Sequence, residues 1–378
     1  MKIAILGGDG FCGWPTALKL AAEGHEVRIF DNESRRKIDE VIKSNSLTDI
    51  KPLGTRIETA REQGYNITAS FLDLRIYSHF KHAIEEFKPE VMVHFAEQRA
   101  APYSMISEKE RRYTVENNIA TTHNALNIMV DYPEIHLVHL GTMGVYGYSK
   151  DFGAVPEGYL NVKINETQKD ADILYPTNPG SVYHMTKSLD QILFQFYNKN
   201  WGLKITDLHQ GIVWGTQTEE TSLHPNLVNR FDYDGIYGTV LNRFIVQAAN
   251  GHDITVYGTG GQKRAFIHIS DTARCVQLAA ENEPDSNKVR IFNQVSEVKQ
   301  VKELAFMCAG SIGGAVSYEE NPRKELPENE LEVSNEGLRS LGFEPILLST
   351  ELVNDIKFIA EQTKERFNAN NVMTSPKW

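Results

Sequence analysis

The sequence predicts an α/β fold: a doubly wound parallel sheet followed by a smaller second domain. Three observations carry that reading. A short apolar run, Ile3 to Leu6, enters a glycine-rich turn and leaves it as a helix. Apolar strand-like runs then alternate with helical segments through the first half of the chain, the pattern of a parallel sheet with helices on both faces. After about residue 213 the alternation breaks down, and the rest reads as a smaller lid.

The elements follow in order. Met1 to Leu6 is a buried strand, Trp14 to Glu23 a helix stopped by Gly24-His25, and Glu26 to Phe30 a second strand ending at Asp31. A polar stretch from Asp31 to Ile67 is longer than a βαβ connection needs and reads as a surface insertion. Ile67 to Leu72 and Glu90 to Phe95 are strands, Thr114 to Val130 a helix, and Ile135 to Leu140 a strand entering Gly141-Thr142-Met143-Gly144. Ser181 to Asn200 is a helix and Ile205 to Gln210 the next strand. Thr216 to Gly235 reads as loop, Leu241 to Asn250 as helix and Ile254 to Tyr257 as a short strand. The expected division is 1–212 for the first domain, with segments near 240–250 and 270–298 returning to it, and 213–378 mainly for the second.

The turn Gly7-Gly8-Asp9-Gly10-Phe11-Cys12-Gly13 places glycines at 7, 10 and 13. Between a strand and a helix, such a turn lets the backbone approach a pyrophosphate at the positive helix end. Asp31 lies 18 residues past Gly13, where a carboxylate accepts from adenosine ribose hydroxyls and repels a 2′-phosphate. The first domain is therefore expected to be a Rossmann-type NAD site. Arg35 and Arg36 follow closely and could instead host a 2′-phosphate. In doubly wound sheets ligands bind beyond the carboxyl ends of strands. Gly7, Asp31, Asp73, Glu97, Thr142 and Gln210 all stand at such ends.

Composition narrows the class. Hydrophobic content of 41% and charged content of 24% are those of an ordinary globular protein. The net charge of −11 argues against a general nucleic-acid binder. No apolar run approaches the ~20 residues of a membrane span, and no leader precedes the first strand, so a cytoplasmic protein is expected. Cys12, Cys275 and Cys308 are scattered, and the 12 histidines have no metal-binding spacing, so no metal is expected.

Tyr183-His184-Met185-Thr186-Lys187 places a phenol and an ammonium four residues apart on one helix face. The ammonium favours phenolate, so Tyr183 can take a proton from a sugar hydroxyl while hydride leaves its carbon. His184 titrates near neutrality and can move protons beside it.

With these residues in place the chain resembles the extended short-chain dehydrogenase/reductase superfamily acting on nucleotide sugars. It is similar from end to end to the UDP-sulfoquinovose synthase family within it. The telling segments are 7–14, the run His-Phe-Ala-Glu-Gln-Arg-Ala-Ala-Pro-Tyr-Ser-Met at 94–105, Gly-Thr-Met-Gly-Val-Tyr-Gly at 141–147, 183–187, and Leu-Asn-Arg-Phe at 241–244. The resemblance implies that bound NAD serves a transient oxidation of UDP-glucose at C4. Water then leaves across C5 and C6, sulfite adds at C6, and C4 is reduced again. It implies Tyr183 as the C4 base, Lys187 as its helper and a ligand of the nicotinamide ribose, Thr142 as a hydrogen-bond partner of the same hydroxyl, and His184 at C6. Related 4,6-dehydratases carry an acid pair after the threonine; here Met143 and Gly144 stand there. Glu97, Arg99 and Tyr103 are further candidates near the reacting carbons, with Arg99 suited to a sulfite oxyanion. Glu97 and Arg99 could equally form a structural ion pair.

The resemblance also implies cofactor contacts from Asp9, Phe11, Cys12, Asn32, Arg35, Arg36, Asp73, Leu74, Phe95, Ala96, Glu97, Asn118 and Gln210. Substrate contacts are implied for Gln98, Arg99, Tyr103, Gln210, Asn242, Arg243, Arg264 and Arg323. The family usually has asparagine before Gln210, where this chain has His209. A homodimer built on the helices 114–130 and 181–200 is expected by the same analogy. A UDP-sugar 4-epimerase or 4,6-dehydratase, and a non-catalytic NAD-binding regulator, remain alternative readings.

Overall fold

A computed structural model describes residues 1–147, 154–163, 171–321 and 326–372. In chain order the first elements are β1 (Lys2–Leu6), α1 (Gly13–Ala22), β2 (Glu26–Asp31), α2 (Ser34–Ile42), α3 (Leu53–Glu62) and β3 (Ile67–Phe71). Then come α4 (Tyr77–Phe87), β4 (Val91–His94), α5 (Glu108–Asp131), β5 (His136–Leu140), the hairpin β6 (Tyr159–Val162) and β7 (Ala171–Leu174), α6 (Val182–Trp201) and β8 (Lys204–Gln210). The remainder is β9 (Ile212–Trp214), α7 (Val240–Ala249), β10 (Ile254–Tyr257), β11 (Lys263–His268), α8 (Ile269–Glu281), β12 (Arg290–Gln294), β13 (Glu297–Gln300), α9 (Val301–Ile312), β14 (Val316–Glu319), α10 (Glu336–Ser340), α11 (Leu348–Arg366) and α12 (Ala369–Val372).

Seven strands form one parallel Rossmann-type sheet in the order β12-β8-β5-β4-β1-β2-β3. β1 is flanked by β2 on one side and β4 on the other, so the chain reverses direction across the sheet there and opens a crevice at the carboxyl ends. One face is covered by α1, α3 and α8 through residues such as Trp14, Leu18, Ile57 and Val276. The other is covered by α4, α5 and α6 through Phe80, Ile84, Leu126, Met129 and Phe194. The inner strands β1 and β4 are buried on both faces, which is why they read as near-continuous apolar runs rather than alternating ones.

The last strand of the sheet, β12, comes from the second half of the chain and pairs with β8, while α8 packs on α1. α7 instead joins α9 and α11 in a separate core of Leu241, Phe244, Leu304, Ile356 and Ile359. The strands of this half form small sheets, β13-β11-β9 and β10-β14.

The 32–66 insertion does not stand off the surface as its polarity predicts. Asp39, Ser44, Ser46, Thr48 and Arg56 are all buried. The Leu47 amide donates to Phe231 O at 2.9 Å, the Thr48 hydroxyl to Asn229 O at 2.5 Å, and the Ser44 hydroxyl to Asp234 Oδ2 at 3.0 Å. The polar residues are spent on the 229–234 segment, so a stretch that looks solvated is an interface within the fold.

Candidate active site

A cavity of about 1060 Å³ runs across the carboxyl ends of the strands. Its floor at one end is the glycine turn. Gly7 has φ +82, and a Cβ there would lie 2.7 Å from Ala96 Cα; one on Gly13 would lie 2.4 Å from Gly7 O. Those two glycines are required by β1, β4 and the turn packing against each other. At Gly10 the nearest atom to a Cβ would be Gly7 O at 3.5 Å, so internal packing does not demand glycine there. A Cβ there would instead take up space in which a dinucleotide pyrophosphate would lie against the turn.

This geometry fits NAD. Asp31 lines the cavity, accepting from the amides of Asp9 at 2.9 Å and Glu33 at 2.7 Å, and burial pushes its carboxyl up to about 6. Ribose hydroxyls donating to it would favour the charged form. Both arginines that could host a 2′-phosphate are held by carboxylates. Arg36 binds Asp9 at 2.5 and 3.0 Å and the carbonyl of Lys51 at 2.7 Å, and it does not line the cavity. Arg35 lines the cavity but is paired with Asp39 and, at 3.1 Å, with Asp232. Asn32, Asp73, Leu74, Phe95, Ala96 and Glu97 also line this region, as do Asp9, Phe11 and Cys12 from the turn. Burial pushes the Cys12 thiol up to about 11.

The chemical end of the cavity is built by α6 and the loop after β5. Ser181 caps α6, its hydroxyl accepting from the His184 amide at 3.1 Å, and Gly202 ends the helix at φ +65. That fixes Tyr183, His184 and Lys187 toward the cavity, which all three line. The Tyr183 amide donates to Ser104 Oγ at 3.1 Å, a second tether. Thr142 stands opposite, its hydroxyl oxygen accepting from the Gly144 amide at 3.1 Å and its own proton available to donate. The cap and the proposed substrate contact use different parts of the same hydroxyl.

Lys187 is not aimed at Tyr183 alone. Its ammonium lies 2.6 Å from Glu97 Oε2, donates to Leu140 O at 2.6 Å, and sits 3.1 Å from His139 Nε2. Burial therefore pushes the Tyr183 phenol up, with Lys187 pulling the other way. Glu97 stays ionised despite burial because Lys187 and His139 lie against it. The Glu97–Arg99 pair that the sequence left open is not formed: Glu97 answers Lys187, and Arg99 pairs with Asp232. Glu97, His139 and Asp190 bring donor atoms within 4.8 Å of one another, but the Lys187 ammonium already supplies their cation, and no metal is assigned.

Gly144 decides where His184 sits. A Cβ at 144 would lie 2.4 Å from both Cδ2 and Nε2 of the His184 ring. The imidazole occupies the space beside the position where dehydratases carry an acid.

Arg99, Gln98, Gln210, Arg243 and Arg264 line the cavity. Gln210 donates to Thr272 Oγ1 at 3.0 Å, Arg243 to the Tyr257 hydroxyl at 3.0 Å, and Arg264 to Lys263 O at 2.9 Å. Three predicted residues lie behind the wall. Asn118 is buried and bridges Gln98 and Thr186, holding the loop after β4 against α6. Tyr103 packs on Tyr113 and Tyr237, and Asn242 donates to Asp232 O at 3.0 Å. Arg323 lies outside the described residues. Sequence reasoning missed Tyr237, which lines the cavity with Arg35 stacked 3.6 Å above its ring, and the buried Asp232, which does not line the cavity but pairs with Arg35 and Arg99, which do. No local spacing marks their place at the site, because the cavity-lining arginines they meet, Arg35 and Arg99, are about 130 to 200 residues away. The turn Asn178-Pro179-Gly180, which also lines the cavity, was legible as a turn one residue before the cap of α6.

A parallel sheet with this glycine turn, an acid at the end of the second strand and a Tyr-x-x-x-Lys helix defines an NAD-dependent enzyme of nucleotide-sugar type. The chain belongs to the NAD dependent epimerase/dehydratase family, whose model matches residues 3–293, and within it to the UDP-sulfoquinovose synthases. It is 40% identical to the chloroplastic UDP-sulfoquinovose synthase of Spinacia oleracea over 100% of this chain and 79% of that protein. It is 39% identical to the UDP-sulfoquinovose synthase of Sulfolobus acidocaldarius over 95% of this chain and 91% of that one. Among solved structures, the UDP-glucose 4-epimerase of Bifidobacterium longum, in complex with NAD+ and UDP, matches with a TM-score of 0.71 at 20% identity, covering 98% of this chain and 100% of that one. The latter likeness shows the fold.

Proposed function

We propose that this protein converts UDP-glucose and sulfite to UDP-sulfoquinovose in the cytoplasm. The single observation that carries the reading is the catalytic wall: Thr142, Tyr183 and Lys187 face one cavity, and His184 stands at Gly144 in place of a dehydratase acid pair. Bound NAD supplies the hydride acceptor for C4 and gives the same hydride back at the end.

Tyr183 takes the C4 hydroxyl proton while Thr142 fixes that oxygen. The ketone at C4 acidifies the C5 hydrogen. His184 takes a proton at C5 and delivers one to the departing C6 hydroxyl, so water leaves and an enone forms. Sulfite adds its sulfur lone pair to C6, C5 regains a proton, and C4 is reduced as Tyr183 returns its proton to the oxygen. Nothing is oxidised or reduced overall, so the cofactor is retained rather than exchanged. Arg99, facing the cavity, receives the sulfite charge, and Arg243 and Arg264 face the nucleotide diphosphate.

A homodimer fits the outer face of α6. Met185, Leu189, Ile192 and Phe196 are exposed at a spacing of four, three and four residues, one helix face, next to α5. A reducing compartment suits the three unpaired, buried cysteines. Among the described residues, no helix is long and apolar enough to cross a membrane.

The test is mass spectrometry of purified protein incubated with UDP-glucose and sulfite, without added NAD. A UDP-sugar carrying a sulfonate in place of the C6 hydroxyl is the expected product. A UDP-galactose or 4-keto-6-deoxy product in its place would retain the cofactor reading and remove the sulfur chemistry.

A further inference from the structure

Beneath Thr142 and Lys187 runs a line of buried polar side chains that does not line the cavity. His139 on β5 shares Nδ1 with Asp207 Oδ1 on β8 at 2.8 Å and Nε2 with Glu97 Oε1 at 3.1 Å. The other oxygen of Asp207 meets His209 Nε2 at 2.9 Å, and His209 Nδ1 meets the Tyr146 hydroxyl at 2.6 Å. Tyr146 in turn donates to Asn293 Oδ1 at 3.0 Å. His139 and His209 are fully buried, and Asp207 is 1% exposed. Asp207 and His209, two apart on one strand, present the same face, so a single register sets the chain. Apolar residues of the same size would stabilise the core as well or better. The chain therefore answers a need of the site above it.

We propose that His139 is a positioning residue for Lys187, and that the line through Asp207 and His209 to Tyr146 ties Lys187 to the loop carrying Thr142. The inference rests on the reading of Tyr183 as the C4 base.

Lys187 favours the Tyr183 phenolate, but Glu97 lies 2.6 Å from its ammonium and opposes that field. A second cation is needed to answer Glu97 and Asp207, and the His139 imidazolium lies between them. The groups facing this cluster are His94 and Glu97 from β4 and its end, His139 from β5, His184, Lys187 and Asp190 from α6, Asp207 and His209 from β8, with Arg99 and Cys12 across the cavity. His94 is neutral, since burial lowers it to about 3, and burial beside Glu97 keeps Asp190 protonated. Two anions, Glu97 and Asp207, then balance two cations, Lys187 and His139. Removing His139 leaves a net negative charge under Tyr183 and disfavours phenolate.

The experiment is the pH dependence of kcat for sulfonate formation by the holoenzyme and His139→Gln. The limb that rises as Tyr183 deprotonates is expected to move up by about one pH unit, which lowers turnover on that limb about tenfold, while UDP-glucose Kd stays within about threefold. A fall in kcat at every pH with the limb in place would reduce His139 to packing and overturn the proposal. Should His139→Gln fail to fold, His209→Asn breaks the far end of the line with the Lys187 contacts intact. It is expected to move the limb the same way by less, and an unmoved limb overturns the proposal. Failure of the base assignment itself is distinguishable, because Tyr183→Phe would then keep turning over.

Discussion

The ring of His184 lies against Gly144 so closely that a Cβ at 144 would fall 2.4 Å from two of its atoms. A departure from the dehydratase pattern at one position and a histidine forty residues later are one feature in space. In the proposed mechanism they replace a carboxylic acid beside C5 and C6 with an imidazole.

Gly144→Ala tests that relationship. The His184 ring is a movable side chain, so it can swing aside, and stability should fall by less than about 1 kcal/mol. Sulfonate formation should fall on the order of 10²-fold, in the range of a lost general acid–base group. Steady-state turnover and a thermal melt are the measurements. A rate close to that of the parent would show that the ring is not needed where it stands.

Tyr183→Phe should abolish turnover by about 10³-fold or more while NAD stays bound. Among the described residues the phenol hydroxyl makes no hydrogen bond that holds the fold, and the backbone tether to Ser104 is untouched. Cofactor content of the purified variant and its product yield give the answer. An unchanged rate would remove the base assignment.

Arg99→Ala should raise the KM for sulfite by about tenfold or more and leave UDP-glucose affinity largely intact. The guanidinium is paired with the buried Asp232, whose other cations, Arg35 and Arg230, remain. The fold should therefore survive. Equal loss for both substrates would place Arg99 on the sugar nucleotide instead.

Stability should decline on the alkaline side. Burial and Lys187 lower the His139 pKa, but Asp207 and Glu97 outweigh them and hold it up at about 9, above the ordinary 6.5. A pKa raised in the folded state gives stability that is fully present below about 6.5 and is lost as pH rises through about 9. The amount is at most a few kcal/mol. The melting temperature of the parent should fall across that window, and His139→Gln should melt lower but with a shallower slope. A parallel slope in both would assign the decline to other groups.

The order of elements in the first domain was legible because buried parallel strands write themselves as apolar runs and the cofactor turn needs glycine at fixed spacing. The Tyr183 and Lys187 pair was legible because the two residues stand four apart on one helix face. The 32–66 insertion misled because its serines, threonines and charges look the same in sequence whether water or a distant backbone satisfies them. Here Phe231 and Asn229 do. His209 stands where the family usually has asparagine, and its side chain faces inward, to Asp207 and Tyr146.

By itself, the sequence determined the sheet, the dinucleotide turn with its acid, and which helix carries Tyr183 and Lys187, since each depends on spacing along a few residues. Only the tertiary structure decided which charges meet: Lys187 with Glu97 and His139 rather than with Tyr183 alone, Arg99 and Arg35 with Asp232, and His184 with Gly144. Those pairings join side chains from 40 to almost 200 positions apart. Their energies follow distance and burial, neither of which is written in local order.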